Sequence, residues 1–164
     1  MNWQRYAHPI LVQKVEAMLL MYPLQYKGEG LSICQPVMRT QQEQWALWAQ
    51  GRMSLDEVNA LRLAVHFAPI TAEANKGTVT NCDGVHSKSN HQGVDYNGVL
   101  LSRAIDLAPY VLAPGTGKPF VPWEDIEKFD RIGPVARAEG LIWGGDWPPD
   151  RIDRPHVELP RSVR

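Results

Sequence analysis

Three short strings far apart in the chain share one chemistry, and a fold that uses them together must bring them to one point. They are Ser89-Asn90-His91-Gln92-Gly93, Ser102-Arg103-Ala104-Ile105-Asp106 and Asp153-Arg154-Pro155-His156-Val157-Glu158-Leu159. Two imidazoles, His91 and His156, and one carboxylate, Asp106, amount to a three-ligand set for zinc, with a fourth position left open for water. Asp153, three residues before His156, is available as a base beside that water. A metal and a base are the minimum apparatus for hydrolysing an amide at neutral pH.

The strings also form part of a longer ordered pattern. Arg39-Thr40-Gln41-Gln42-Glu43-Gln44 leads to Ala49-Gln50-Gly51-Arg52, Val79-Thr80-Asn81 precedes the first histidine, and Trp143-Gly144-Gly145-Asp146-Trp147 precedes the last. Taken together, from about residue 30 to 160, this resembles the M15 group of zinc peptidases. That group cleaves peptidoglycan and includes phage endolysins and D-Ala-D-Ala carboxypeptidases. The resemblance implies an α+β fold of the Hedgehog/DD-peptidase type, a small antiparallel sheet flanked by helices with the zinc site on the sheet. It implies His91, Asp106 and His156 as zinc ligands and Asp153 as the catalytic carboxylate. Arg39 would face the groove, where a guanidinium can hold a substrate carboxylate or a developing oxyanion. Ser89, Trp143 and Asp146 would lie on the substrate side, with Asp146 the rival for the role of base.

One departure from the pattern matters. Fourteen residues separate His91 from Asp106, more than the family's usual spacing. The extra stretch, Val94 to Leu101, contains Asp95, Asn97 and Gly98 and reads as an inserted turn or hairpin. Asp95 thereby becomes an alternative carboxylate ligand. Asp106 is favoured because Ala104-Ile105-Asp106-Leu107-Ala108-Pro109 matches the family's ligand strand and its apolar alternation.

At 164 residues the chain is expected to form one catalytic domain, 1–164, without a separate wall-binding module, and to act as a monomer. A net charge of −1 offers no bulk attraction to nucleic acid. No apolar run approaches the ~20 residues of a membrane span. The segment Met1–Pro9 lacks a signal-peptide core, since Gln13, Lys14 and Glu16 follow closely. The expected location is therefore a host cytoplasm until release to the wall. Cys34 and Cys82 do not make a disulfide framework and read as two free buried thiols.

Local signals place the elements. Apolar residues at Ile10, Leu11, Val15, Met18 and Leu19 predict a helix over 9–21 with Pro9 in its first turn. Lys27 to Gly30 predicts a turn, and Leu31 to Cys34 a short strand. Thr40 with Glu43 and Ser54 with Glu57 are capping boxes, opening helices to Gln50 and to about His66. Strands are expected at 77–81, 104–107, 141–143 and 157–159, with a polar loop over 81–93. A helix over 123–139 should bend or split at Gly133-Pro134. His8 and His66 read as ordinary core or surface residues and His86 as a loop residue. Trp45 and Trp48, at i and i+3, read as packing. The expected activity is hydrolysis of a stem-peptide amide by an endolysin, at L-Ala-D-Glu by nearest resemblance. A D-Ala-D-Ala carboxypeptidase is the alternative within the family. A catalytically silent zinc-containing binding or virion protein is the alternative outside it.

Overall fold

The alternation of short apolar runs and turn residues resolves, in a computed structural model describing residues 2–163, into helices around a largely antiparallel sheet. The strands of that sheet are β1 (Glu29–Ile33), β4 (Ala104–Leu112), β5 (Pro119–Phe120), β6 (Ile142–Trp143) and β7 (His156–Glu158). Their order is β1-β4-β7-β6, with β5 also on β4, and every pairing is antiparallel. Strand β4 runs well past the expected Leu107, because β1 and β5 pair with its second half and complete its hydrogen bonds.

Helix α1 (Pro9–Gln25) lies against this sheet. His8 caps it, its Nδ1 accepting from the Ile10 amide at 3.3 Å. Leu11, Val15, Met18 and Tyr22 form its buried stripe, the spacing of one helix face. The helix continues beyond Met21 through Pro23. Tyr22 anchors that end, its hydroxyl lying 3.2 Å from both the Glu29 carboxylate and the Lys128 carbonyl. The core joins this stripe to Ile105, Leu107, Ile132, Val157 and Leu159. No helix among the described residues is long and apolar enough to cross a membrane.

Helices α2 (Gln41–Ala49) and α3 (Leu55–Ala64) pack on each other, and both predicted capping boxes are formed. The strand expected at 77–81 is absent. Arg52, just past α2, takes part of that backbone instead, donating to the Thr80 carbonyl at 3.1 Å, while Gln44 Nε2 donates to the Thr80 hydroxyl at 3.0 Å and to the Cys82 carbonyl just beyond at 2.8 Å. A carbonyl already satisfied by a side chain has less to gain from a sheet ladder. His66 lies just past α3 at a φ of 62°, not inside the helix.

The inserted stretch is a hairpin, β2 (Val94–Tyr96) and β3 (Val99–Leu101), turning on Asn97 and Gly98 with φ of 53° and 82°. Positive φ at both central residues is the two-residue turn that matches strand twist. The helix expected at 123–139 is two: α4 (Ile126–Asp130) and α5 (Ile132–Ala138). The break falls at Arg131. Gly133 is required for packing, since a Cβ there would lie 2.5 Å from the Trp143 ring, and Pro134 sits in the first turn of α5, where a missing N–H costs nothing.

Candidate metal centre

Antiparallel pairing of β4 with β7 puts Asp106 directly opposite His156, so both side chains project from one face. His91 comes from a single turn of 3₁₀ helix, Asn90–Gln92, that is fixed from both sides. Ser89 Oγ accepts from the His91 amide, and Gln92 Oε1 accepts from the Ser89 amide. The His91 carbonyl takes the Arg39 amide, and the Asn90 carbonyl takes the Arg103 amide.

The result is a compact triangle. His91 Nε2, His156 Nδ1 and Asp106 Oδ1 are each 3.2 Å from the other two. Donors bound tetrahedrally to one ion at ~2.0–2.1 Å stand roughly 3.3–3.4 Å apart. Two nitrogen donors and one oxygen donor at this separation fit a zinc-sized ion, and these three residues form a metal-capable group. Both imidazoles are buried, with side chains 2% and 6% exposed.

Each ligand is held from behind. His91 Nδ1 donates to the Val37 carbonyl at 3.0 Å, which leaves the Nε2 lone pair facing the triangle. His156 is turned the other way: its Nε2 lies 3.0 Å from Glu158 Oε2, so Nδ1 faces the triangle. Asn90 Nδ2 donates to the same Glu158 oxygen at 2.7 Å. Asp106 Oδ2, the oxygen outside the triangle, accepts from Arg39 Nη2 at 2.9 Å. Burial opposes charge on all three titrating groups here, but the contacts prevail. Asp106 is held well below the usual carboxylate range by His91 and His156, and Glu158 is lowered by His156 and Asn90. Metal-free His156 is pushed up to about 9 by its bonds to Asp106 and Glu158.

Asp153 reaches this cluster from the turn before β7. Burial raises its pKa, the Asp106 carboxylate adds to the rise, and His156, His91 and Arg39 pull against it. Its backbone is locked to the Trp143-Gly144-Gly145 segment: the Asp153 amide donates to the Gly144 carbonyl at 3.0 Å, and the His156 amide donates to the Asp153 carbonyl. A Cβ on Gly144 would lie 2.3 Å from that Asp153 carbonyl.

Residues 84–159 match the family model described as D-alanyl-D-alanine carboxypeptidase. This stretch is similar to the M15 peptidases. No curated protein matches the chain. The matched segment contains His91, Asp106, Asp153 and His156, whereas Arg39 reaches the cluster from outside it.

The other residues singled out in the sequence take varied places around this centre. Ser89 caps the His91 turn. Trp143 is buried, its Nε1 donating to the Arg154 carbonyl at 2.7 Å, while the ring of Trp147 lies 4.8 Å from that of His156. Asp146 pairs with Arg137 at 2.8 Å. Asp95 is exposed and accepts from the Gly98 amide in the hairpin turn, so Asp106 is the carboxylate in the metal-capable group. His86 is exposed beside Asp83. Cys34 and Cys82 are free and only partly buried. Cys34 lies close enough to the centre that burial and the carboxylates of Asp106 and Asp153 push its thiol up to about 11. Glu158 and Asn90 were not singled out by motif. Alternation along a strand was the available signal, since residues i and i+2 share a face and Glu158 follows His156 by two.

Proposed function

We propose that the chain is a zinc peptidase of bacterial peptidoglycan, cutting the stem peptide at the L-Ala-D-Glu amide as a phage endolysin does. The observation that carries this reading is the position of Asp153, a partly buried carboxylate of raised proton affinity beside a triangle of donors sized for zinc. Bound zinc would polarise the scissile carbonyl and favour ionisation of the attacking water.

Asp153 then accepts the proton of that water and returns it to the departing amine, so one carboxylate serves as base and as acid. Arg39 has a donor to spare. Nη2 is engaged on Asp106, but its Nε is buried with no partner among the described residues. In this reading the guanidinium steadies Asp106 and turns its remaining N–H groups to the substrate oxygen that gains charge. Trp147, against His156, walls the site.

In this reading the cleft accepts chain on both sides of the cut bond, as an endopeptidase requires. A recess of about 270 Å³ with Asp153 in its wall, beside Trp123, Ile126, Phe129 and Ile152, would take the chain on one side. The description of the matching family favours a second reading, removal of a terminal D-alanine. Mass spectrometry of digested peptidoglycan separates them. Cleavage at L-Ala-D-Glu leaves glycan with L-Ala alone and frees the rest of the stem, whereas carboxypeptidase action releases only D-Ala. Release of neither by zinc-loaded protein overturns both. An endolysin would also wait in the host cytoplasm and clear only permeabilised cells.

A further inference from the structure

Glu158 and Asn90 lie outside the ligand set, and no step proposed above uses them. Glu158 is two residues beyond His156 on β7, and its side chain is only 17% exposed. One of its oxygens, Oε2, takes both the His156 Nε2–H at 3.0 Å and the Asn90 Nδ2–H at 2.7 Å. Asn90 immediately precedes His91 and sits in the 3₁₀ turn that presents it. A single carboxylate oxygen therefore ties the outer nitrogen of one ligand to the backbone turn that carries another. The opposite sides of both imidazoles face Asp106 Oδ1.

From this geometry we infer that Glu158, braced by Asn90, is a positioning residue for the metal. It fixes His156 as the Nδ1 ligand and sets the spacing between His156 and His91. An imidazole rotates freely about its Cβ–Cγ bond unless the second nitrogen is held, and a ring flip would remove Nδ1 from the triangle. Glu158 supplies that hold, and its negative charge raises the basicity of the ligating nitrogen. Asn90 removes the other freedom: with one amide hydrogen on Oε2, the carboxylate cannot swing away from His156 without breaking a second bond. His91 needs no such device, because the Val37 carbonyl that holds it belongs to the backbone.

The inference rests on reading the cluster as a metal centre but not on which bond is cut. The test is zinc affinity of the full chain, measured by competition with a chromophoric chelator. Glu158→Ala is expected to weaken zinc about 10–100-fold. Glu158→Gln keeps an acceptor for His156 Nε2–H and should recover most of that loss. Asn90→Ala should weaken zinc several-fold in the wild-type background and add nothing in Glu158→Ala, because it acts through Glu158. The cobalt-substituted protein gives an independent readout, since its visible absorption follows ligand geometry: Glu158→Ala should change the spectrum and Glu158→Gln should restore it.

Wild-type zinc affinity in Glu158→Ala, or independent additive losses from the two alanine variants, would overturn the inference. If Glu158→Ala does not fold, Asn90→Ala decides alone, with weakened zinc upholding the inference and unchanged zinc ending it. A wild-type chain that holds no zinc overturns the metal centre together with this inference. One that binds zinc with the expected variant pattern yet cleaves nothing leaves the inference standing and removes only the peptidase reading.

Discussion

Asp153 meets two conditions of a general base: it stands beside the cluster, and its surroundings favour the proton more than water does. Asp153→Asn keeps size and removes the capacity to take a proton. The variant should fold and bind zinc while turnover falls by about 10²–10⁴, or roughly 3–5.5 kcal/mol of barrier. Muropeptide release and zinc content from one preparation check it, and near-wild-type turnover would return Asp153 to being a turn residue. His91→Ala and His156→Ala should instead lose metal and activity together. The protonation of His156 adds a pH signature. Below about 9 the metal-free imidazole holds a proton that zinc must displace. Zinc uptake at pH 7 should therefore release a proton from this site. Affinity should climb about tenfold per pH unit toward 9 and fall as the pH is lowered. Calorimetry in buffers of different ionisation enthalpy measures that release, and zinc uptake with no proton release would contradict it.

At the scale of elements, Gly144 joins the Asp153 turn to the sheet. A methyl group at this position would press on the Asp153 carbonyl at 2.3 Å, a backbone atom that cannot step aside alone. Gly144→Ala should cost about 1–3 kcal/mol of stability. At a temperature where the variant remains folded, it should also lose activity through displacement of the Asp153 turn. Thermal melting beside a turnover assay checks this, and full activity would mean that the turn tolerates the shift. The inserted hairpin predicts the opposite. Replacing Asp95–Leu100 with two glycines between Val94 and its cross-strand partner Leu101 should leave one zinc per chain, because Asp95 belongs to the hairpin turn. Loss of zinc would reopen the choice of carboxylate.

The same scale shows what was legible in the sequence. Both capping boxes and the Asn97-Gly98 turn were, because their partners lie within a few residues. The ligand trio was legible because each member sits inside a longer matching string. The missing strand at 77–81 was not, because Arg52 reaches the Thr80 carbonyl from 28 residues away. The Val37 carbonyl behind His91 carries no side-chain signal at all and lies 54 residues off. The break at Arg131 was hidden by a glycine that serves Trp143, a tertiary contact with no local mark.

For the molecule as a whole, the centre ties together separate parts of the chain: the turn carrying His91, strands β4 and β7, and the segment leading to α2 through Arg39. Strand β1 is braced independently, with Glu29 taking Lys128 at 2.6 Å and Arg131 at 2.5 Å across to α4 and its end. Metal that binds only the folded state should stabilise the whole by about 2.7 kcal/mol at a hundredfold excess over Kd. For a chain of this size that is roughly 5–10 °C in melting temperature. The same shift should be absent from His91→Ala. The central claim, that these residues hold one zinc and use it to cut peptidoglycan, is tested most directly by titrating metal-free protein with zinc while counting stem-peptide amides cleaved. The account predicts activity that rises linearly and saturates at one zinc per chain. Cleavage by the metal-free chain, or no cleavage from a folded chain carrying one zinc, would contradict it.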